Sequence, residues 1–322
     1  MSHLRSVPCG SGPWPARSGS ATSVRVEAPG KVNLFLSVGA PGPDGYHPLT
    51  TVFQAVRLIE TITARRQSAQ ALGEITLALE EPDDAVPTDA SNLAVRAAHI
   101  LAEATGVSEG VDLLVRKRVP VAGGMAGGSA DAAAALVACN ALWGTGLGTG
   151  ELMSLASRLG ADVPFPLLGS TAVGHGRGDM VTPLMARGTY QWVFALHHRG
   201  LSTPEVFARF DEMGAGRGGP QEVSEAMTVA LRSGSPQALA ACLHNDLQAA
   251  ALDLRPELAD VIAVAEAAGA LRAIVSGSGP TVAALVADAA GAQRVARALM
   301  SSGLCAEALR ADAPVAGARV VG

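Results

Sequence analysis

Between residues 120 and 131 the chain reads Pro-Val-Ala-Gly-Gly-Met-Ala-Gly-Gly-Ser-Ala-Asp, with four glycines in six residues. An alternating run, Val111–Val115, precedes this segment, and the Ala-rich stretch 132–142 that follows it has the composition of a buried helix. The chain therefore passes from a strand through a glycine loop into a helix. Glycines allow close approach of backbone to a ligand, and a helix start offers unpaired N–H groups and the positive end of a dipole. Such a junction suits a phosphate. No Lys follows Gly128, so this is not a Walker A loop, and Gly123 and Gly124 are adjacent, so it is not the GxGxxG of dinucleotide folds. Small residues packed for their own sake would use the same glycines, and the segment alone leaves that open.

The surroundings of the loop bound the rest. A chain of 322 residues exceeds what one core comfortably serves, so two domains are expected. Hydrophobic residues at 48% and charged residues at 16% describe an Ala/Val/Leu-packed globular protein rather than a disordered one. A net charge of −5 supplies no basic field for a nucleic-acid partner. Cys9, Cys139, Cys242 and Cys305 are dispersed, which fits a reducing, cytoplasmic setting, with Cys139 as core. No uncharged apolar run is long enough for a membrane span, and residues 1–22, rich in Ser, Gly and Pro, read as a disordered extension without a signal peptide's apolar core.

Periodicity predicts strands at Val24–Ala28, broken by Pro29-Gly30, then at Val32–Val38, 49–59 and Ile75–Leu79. Lys31 and Asn33 then stand near a strand edge. Ser91 is expected to cap a helix over 92–103, and Glu151–Leu159 reads as an amphipathic helix. After a strand at 170–173, the glycine-broken turn 174–178 is the expected domain boundary. Beyond it come a strand at 191–196, helices at 204–212, 221–233 and 257–268, strands at 273–276 and Val282–Val286, and a helix at 290–301. The order is α+β.

Three further segments bear polar groups in apolar settings. In Ala28-Pro29-Gly30-Lys31-Val32-Asn33-Leu34, Lys31 and Asn33 are two apart and share one strand face. Asp162 lies in Gly160-Ala161-Asp162-Val163-Pro164-Phe165, where a turn role would also explain it. The turn Ser276-Gly277-Ser278-Gly279-Pro280-Thr281, between two strands, can present N–H groups to an anion or simply close a hairpin.

In this combination and order the four segments resemble the GHMP kinase superfamily, over about Val24 to Val321. The match narrows within it through Asp44-Gly45-Tyr46-His47, Lys117-Arg118-Val119-Pro120, Gly160–Pro164 and His244-Asn245-Asp246-Leu247, to the group whose acceptor is 4-diphosphocytidyl-2-C-methyl-D-erythritol. The resemblance implies a two-domain α+β fold, with a ribosomal protein S5 domain 2-like N-terminal domain over 23–178 and a ferredoxin-like C-terminal domain over 179–322. It implies ATP as co-substrate, held by Pro120, Val121, Ala122, Gly123, Gly124, Met125, Ala126, Gly127, Gly128, Ser129 and Ala130. Asp162 becomes the base that takes the acceptor hydroxyl's proton, and Lys31 the charge beside the developing alkoxide. Asn33, Tyr46, His47 and Thr203 become the acceptor's contacts, Tyr46 stacking on cytosine and His47 reading its polar edge; Thr203 has an N-cap as its alternative role. Mg²⁺ follows from ATP chemistry, with its ligands unassigned and Ser129 a candidate for metal or phosphate. Asn92, Lys117 and Arg118 are expected near the nucleotide. Met125 stands where related loops often have Leu, and Gly128-Ser129-Ala130 replaces a more serine-rich run, a loss of hydroxyls that weakens any assigned metal contact by this loop.

Other readings remain at this stage: a GHMP kinase for homoserine, mevalonate or a sugar, or a silent GHMP-like binding protein, which would have to lack Asp162 or Lys31. A dinucleotide oxidoreductase fails on glycine spacing. Monomer and homodimer are both open.

Overall fold

The computed structural model describes residues 22–67, 73–121, 123–216 and 218–321. The expected extension over 1–22 lies, apart from Thr22, outside the described residues, as do Cys9 and Ala122.

The chain opens with two long antiparallel strands, β1 (Ser23–Val38) and β2 (Leu49–Arg66). Pro29-Gly30 does not break β1, contrary to expectation. The register slips there, Pro29 facing Ile59 and Gly30 facing Val56, so a bulge absorbs the proline and the strand continues. A second irregularity lies between Asn33 and Phe35. After β3 (Ile75–Leu79) comes α1 (Leu93–Thr105), capped by the side chain of Asn92, which accepts from the Ala94 N–H. Ser91, the expected cap, instead bonds Asp89. Strand β4 (Val111–Arg116) leads into α2 (Gly127–Trp143), which begins five residues before the predicted start, inside the glycine run.

Then follow α3 (Thr149–Leu159), α4 (Pro164–Leu168), β5 (Thr171–His175) and β6 (Met180–Pro183). β7 (Tyr190–Leu196) precedes five helices: α5 (Thr203–Glu212), α6 (Glu225–Ser233), α7 (Pro236–Ala240), α8 (Gln248–Leu254) and α9 (Glu257–Ala267). Helix α6 starts later than predicted because Ser224, not residue 221, supplies the cap, accepting from Met227 N. The two-residue strand β8 (His244–Asn245) lies between α7 and α8, and the chain closes with β9 (Arg272–Val275), β10 (Val282–Val286), α10 (Ala289–Ser302), β11 (Glu307–Ala313) and β12 (Arg319–Val320).

Two sheets result. The larger runs β12-β1-β2-β4-β3, with β5 on β2, β6 on β5, and β8 parallel to β1. The smaller, in the order β11-β7-β10-β9, is antiparallel throughout. Numbered by sequence it is 4-1-3-2, with helices between its first and second and between its third and fourth strands. That is the βαββαβ arrangement of a ferredoxin-like domain.

Alternation sets the cores. On β7, Val193 and Ala195 face α5, α8, α9 and α10, while Tyr190, Trp192 and Phe194 face the larger sheet. On β10, Val282, Ala284 and Val286 take the helix side, and Ala283 and Leu285 take the other. Val32, Leu34, Val52 and Val56 of β1 and β2 meet that second face, so the two sheets share an apolar core. Val24, Val26 and Ala28 belong to a separate core with α1, α2 and α3. The run Ala132–Ala135 in α2 is wholly buried, and its short side chains let the helix lie close on the sheet. Cys139 is part of this core, and burial pushes its thiol well above its ordinary range.

Candidate active site

Lys31 and Asn33 do not stand at a strand edge. They sit in mid-strand, 4% and 3% exposed, because β1 has β2 on one side and the glycine loop on the other. The Lys31 backbone N–H donates to Met125 O at 3.1 Å, tying β1 directly to that loop. The Lys31 Nζ donates to Asn33 Oδ1 at 2.6 Å, stands 3.9 Å from Asp162 Oδ2 and lies 5.7 Å from the centre of the Phe53 ring. Asn33 Nδ2 donates to Thr51 Oγ1 at 2.9 Å, and the Thr51 hydroxyl donates to Phe35 O at 2.8 Å. This chain orients the amide so that its oxygen faces the ammonium. Burial pulls Lys31 below the ordinary lysine range, and Asp162 opposes the shift.

Asp162 comes from the short connection between α3 and α4, and its side chain is 43% exposed. One cation, nearly buried, thus sits beside a carboxylate with a solvent face. The pair can meet a hydroxyl from outside.

The glycine run closes over the same spot. Met125 is buried, Ala126 holds a left-handed conformation at φ 59°, and α2 begins at Gly127 without a capping side chain. A non-glycine residue held there costs about 1–2 kcal/mol. The anchors on either side, Met125 O to Lys31 and the helix itself, hold it in place. The N–H groups of the first turn, at Gly127, Gly128 and Ser129, therefore meet no side-chain cap among the described residues. Gly128 is exposed and Ser129 half-buried.

Against this loop lies the turn 276–281. Ser276 Oγ donates to Gly124 O at 3.3 Å. Gly124 has φ +70°, and a Cβ there would lie closer than 3.0 Å to Ser276 O. A Cβ on Gly277 would come within 3.3 Å of both Lys31 Nζ and Asn33 Oδ1. Asn245 holds this turn, its Nδ2 donating to Val275 O at 2.7 Å and Gly277 O at 2.8 Å. Segments 28–34, 120–131, 160–165 and 276–281, scattered in the chain, thus converge. Thr203 is the first residue of α5, with Ser202 at the N-cap position, and its Oγ1 lies 2.8 Å from Ser278 Oγ, at the edge of this group.

Tyr46 and His47 lie on the loop between β1 and β2. Tyr46 is 55% exposed, with the Arg177 guanidinium 3.7 Å from its ring centre and Arg177 Nη2 3.3 Å from Asp44 Oδ2. One face of the tyrosine ring is thereby backed by a cation and the ring is held outward. The His47 side chain is only 8% exposed, its Nε2 2.9 Å from Asp211 Oδ1 and its ring 4.9 Å from that of Phe207. Both partners are on α5. The structure thus adds Arg177, Phe207 and Asp211 to the residues read from sequence; nothing local links them to residues 46 and 47.

Among residues expected near the nucleotide, Asn92 caps α1, and Arg118 stands 3.7 Å from Glu81. Lys117 is half-buried between Glu60 and Asp131. Glu60 was not foreseen. Its signal was a lone carboxylate in the apolar strand stretch Leu58-Ile59-Glu60-Thr61-Ile62, a position that burial makes costly unless it is partnered.

The comparisons with known proteins bear on this geometry. Residues 92–170 match the model of the GHMP kinases N terminal domain, and residues 227–303 that of the GHMP kinases C terminal. A 4-diphosphocytidyl-2-C-methyl-D-erythritol kinase of Thermobifida fusca is 52% identical over 304 residues, covering 93% of this chain and 99% of that protein. A solved 4-(cytidine 5'-diphospho)-2C-methyl-D-erythritol kinase is similar with a TM-score of 0.73 at 32% identity, covering 90% of this chain and 99% of that one. A homoserine kinase structure from Cytophaga hutchinsonii, at 19% identity and a TM-score of 0.72 over 95% of this chain and 99% of that one, shares the fold. The chain therefore belongs to the GHMP kinases and, within them, to the 4-diphosphocytidyl-2-C-methyl-D-erythritol kinases.

Proposed function

We propose that this chain transfers the γ-phosphate of ATP to the 2-hydroxyl of 4-diphosphocytidyl-2-C-methyl-D-erythritol, releasing ADP, in the non-mevalonate route to isoprenoid precursors. The observation that carries the reading is the meeting of Lys31, Asn33 and Asp162 beside an uncapped helix N-terminus and a glycine loop.

A tertiary or secondary alcohol is a poor nucleophile at neutral pH. A carboxylate within hydrogen-bond reach that takes its proton contributes roughly 100-fold to 10,000-fold. We assign this role to Asp162, whose side chain is 43% exposed beside Lys31. The Lys31 ammonium, buried and 3.9 Å from Asp162 Oδ2, stabilises negative charge as it develops on the acceptor oxygen. Few waters screen it, so its field at that oxygen is strong. Asn33 keeps the ammonium on one side through the 2.6 Å bond, its own amide N–H anchored on Thr51. The N–H groups of Gly127, Gly128 and Ser129 and the dipole of α2 bind the phosphates, with Pro120 to Ala130 forming the loop around them.

Among the described residues no group of three or more His, Cys, Asp and Glu could hold a metal ion. Mg²⁺ accompanying ATP would be held chiefly by phosphate oxygens and water, with the Ser129 hydroxyl the loop's candidate protein contact. Bound with the nucleotide, it would supply charge neutralisation for the transferring phosphoryl group.

For the cytidine end, the outward Tyr46 ring, backed by Arg177, offers a free face for stacking, and Phe207 a second aromatic surface. With His47 Nε2 held 2.9 Å from Asp211 Oδ1, the ring's Nδ1 is left for the polar edge of cytosine. This end separates the reading from a homoserine or mevalonate kinase, whose acceptors have no base to stack. The division into 23–178 and 179–322 belongs to the same proposal: the chain passes near residue 178 toward the smaller sheet, and β6, β8 and β12 remain with the larger. No helix among the described residues is long and apolar enough to cross a membrane, and we place the reaction in the cytoplasm.

The test is ADP release with Mg-ATP and the cytidylyl acceptor beside homoserine and mevalonate, with Asp162→Ala as control. Turnover on the cytidylyl acceptor alone, falling at least about 100-fold in the variant, is expected. Turnover on another alcohol would refute the acceptor, and an active Asp162→Ala would refute the base.

A further inference from the structure

Glu60 lies on β2 beneath the glycine loop, with a side chain 0% exposed. Its Oε1 accepts from Lys117 Nζ at 2.5 Å and from Val119 N at 3.2 Å, and its Oε2 accepts from Arg118 N at 2.9 Å. Lys117 Nζ also donates to Asp131 Oδ2 at 2.6 Å, and Asp131 is in the first turns of α2. The carboxylate thus grips the chain on the way into the loop and, through Lys117, the helix on the way out. Space confirms the closeness: a Cβ on Gly127 would lie 3.3 Å from Glu60 Oε1 and 3.2 Å from Val119 O.

We infer that Glu60 is a positioning residue for nucleotide binding, its carboxylate fixing both ends of the phosphate loop so that the first-turn N–H groups of α2 are held where the phosphates need them. This rests on the kinase reading above and adds a residue outside the 120–130 loop to its nucleotide half. The bonding is specific to a carboxylate. Both oxygens accept from N–H donors, so a glutamine in this place must turn its amide NH₂ toward one of them and lose at least one bond. Burial and the nearby Asp131 push Glu60 up to about 7, and burial pushes Asp131 up as well.

The experiment compares wild type, Glu60→Gln and Asp131→Asn by direct titration with ATP and by initial rates with ATP and the cytidylyl acceptor varied separately. Glu60→Gln is expected to weaken ATP binding and raise its KM about tenfold, while the acceptor KM stays within about twofold and kcat changes less than the ATP KM does. Asp131→Asn, which keeps the acceptor toward Lys117, is expected to raise the ATP KM by about threefold, and it serves if Glu60→Gln does not fold. An ATP affinity unchanged in the folded variants, or equal losses for ATP and acceptor, would overturn the inference by reducing Glu60 to a structural group. Weakened ATP binding in the variants of a protein that does not turn over this acceptor would support the inference and refute the acceptor assignment.

Discussion

The two glycines Gly124 and Gly128 stand four residues apart in one loop and answer differently to the same change. At Gly124 the backbone has φ +70°, and an added Cβ would come closer than 3.0 Å to Ser276 O, a backbone atom that side-chain rotation cannot clear. The left-handed conformation costs about 1–2 kcal/mol for alanine, and overpacking a tight contact about 1–3 kcal/mol. Gly124→Ala should therefore destabilise the protein by about 2–5 kcal/mol, or a Tm roughly 5–15 °C lower. At Gly128 a Cβ meets only Leu93 Cδ1, at an ordinary 3.6 Å, and the residue is helical. Gly128→Ala should leave Tm unchanged or raise it slightly, since alanine is worth up to about 1 kcal/mol over glycine inside a helix. It should nevertheless raise the ATP KM about tenfold or more, because the methyl group occupies the open side of the helix start where the phosphates approach. Thermal unfolding followed by circular dichroism, with ADP release at varied ATP, reads both variants. A Gly124→Ala protein as stable as wild type would refute the packing account of the loop. A Gly128→Ala protein with normal ATP kinetics would refute its role as a phosphate cradle.

Lys31→Met should lower kcat about 100-fold or more while the protein stays folded, because the change removes a buried charge whose desolvation already opposes it; circular dichroism and rates check this, and retained turnover would exclude Lys31 from the chemistry. Tyr46→Ala should raise the KM for the cytidylyl acceptor by about tenfold, the loss of one stacked base, without altering the ATP KM. Glu60 is raised from 4.5 to about 7 by burial first, so the folded state binds more protons than the unfolded one across that window. Stability contributed by the proton is present at low pH and falls as pH rises from about 4.5 to 7, by on the order of 2 kcal/mol relative to Glu60→Gln. Urea unfolding of both proteins at pH 5 and pH 7 tests the sign; the opposite slope would show that the pair is fully ionised in the fold.

What the sequence alone determined is what depends on neighbours along the chain. The ends of β3 follow from alternation, those of β10 from a continuous apolar run that starts after a glycine-rich turn, the end of α3 from its amphipathic period, and the four polar segments from glycine and charge in apolar surroundings. Pro29-Gly30 misled because a bulge keeps a strand going where local propensity ends it, and α2 began early because Gly127 sits where a Cβ would press on Val119 and Glu60, a long-range fit that helix preference does not reveal. The acceptor side was legible only in part: Tyr46 stood out as one of two tyrosines, but its backing by Arg177 and the bond from His47 to Asp211, 164 residues away, come from packing α5 and the β5–β6 turn against the β1–β2 loop. Only the tertiary structure decided that Lys31 is buried, that Asp162 faces it, that Gly277 leaves room for both Lys31 and Asn33, and that Glu60 sits under the loop. The physical reason is that burial and long-range approach set the electrostatics of a charge, and neither is a property of its neighbours in sequence.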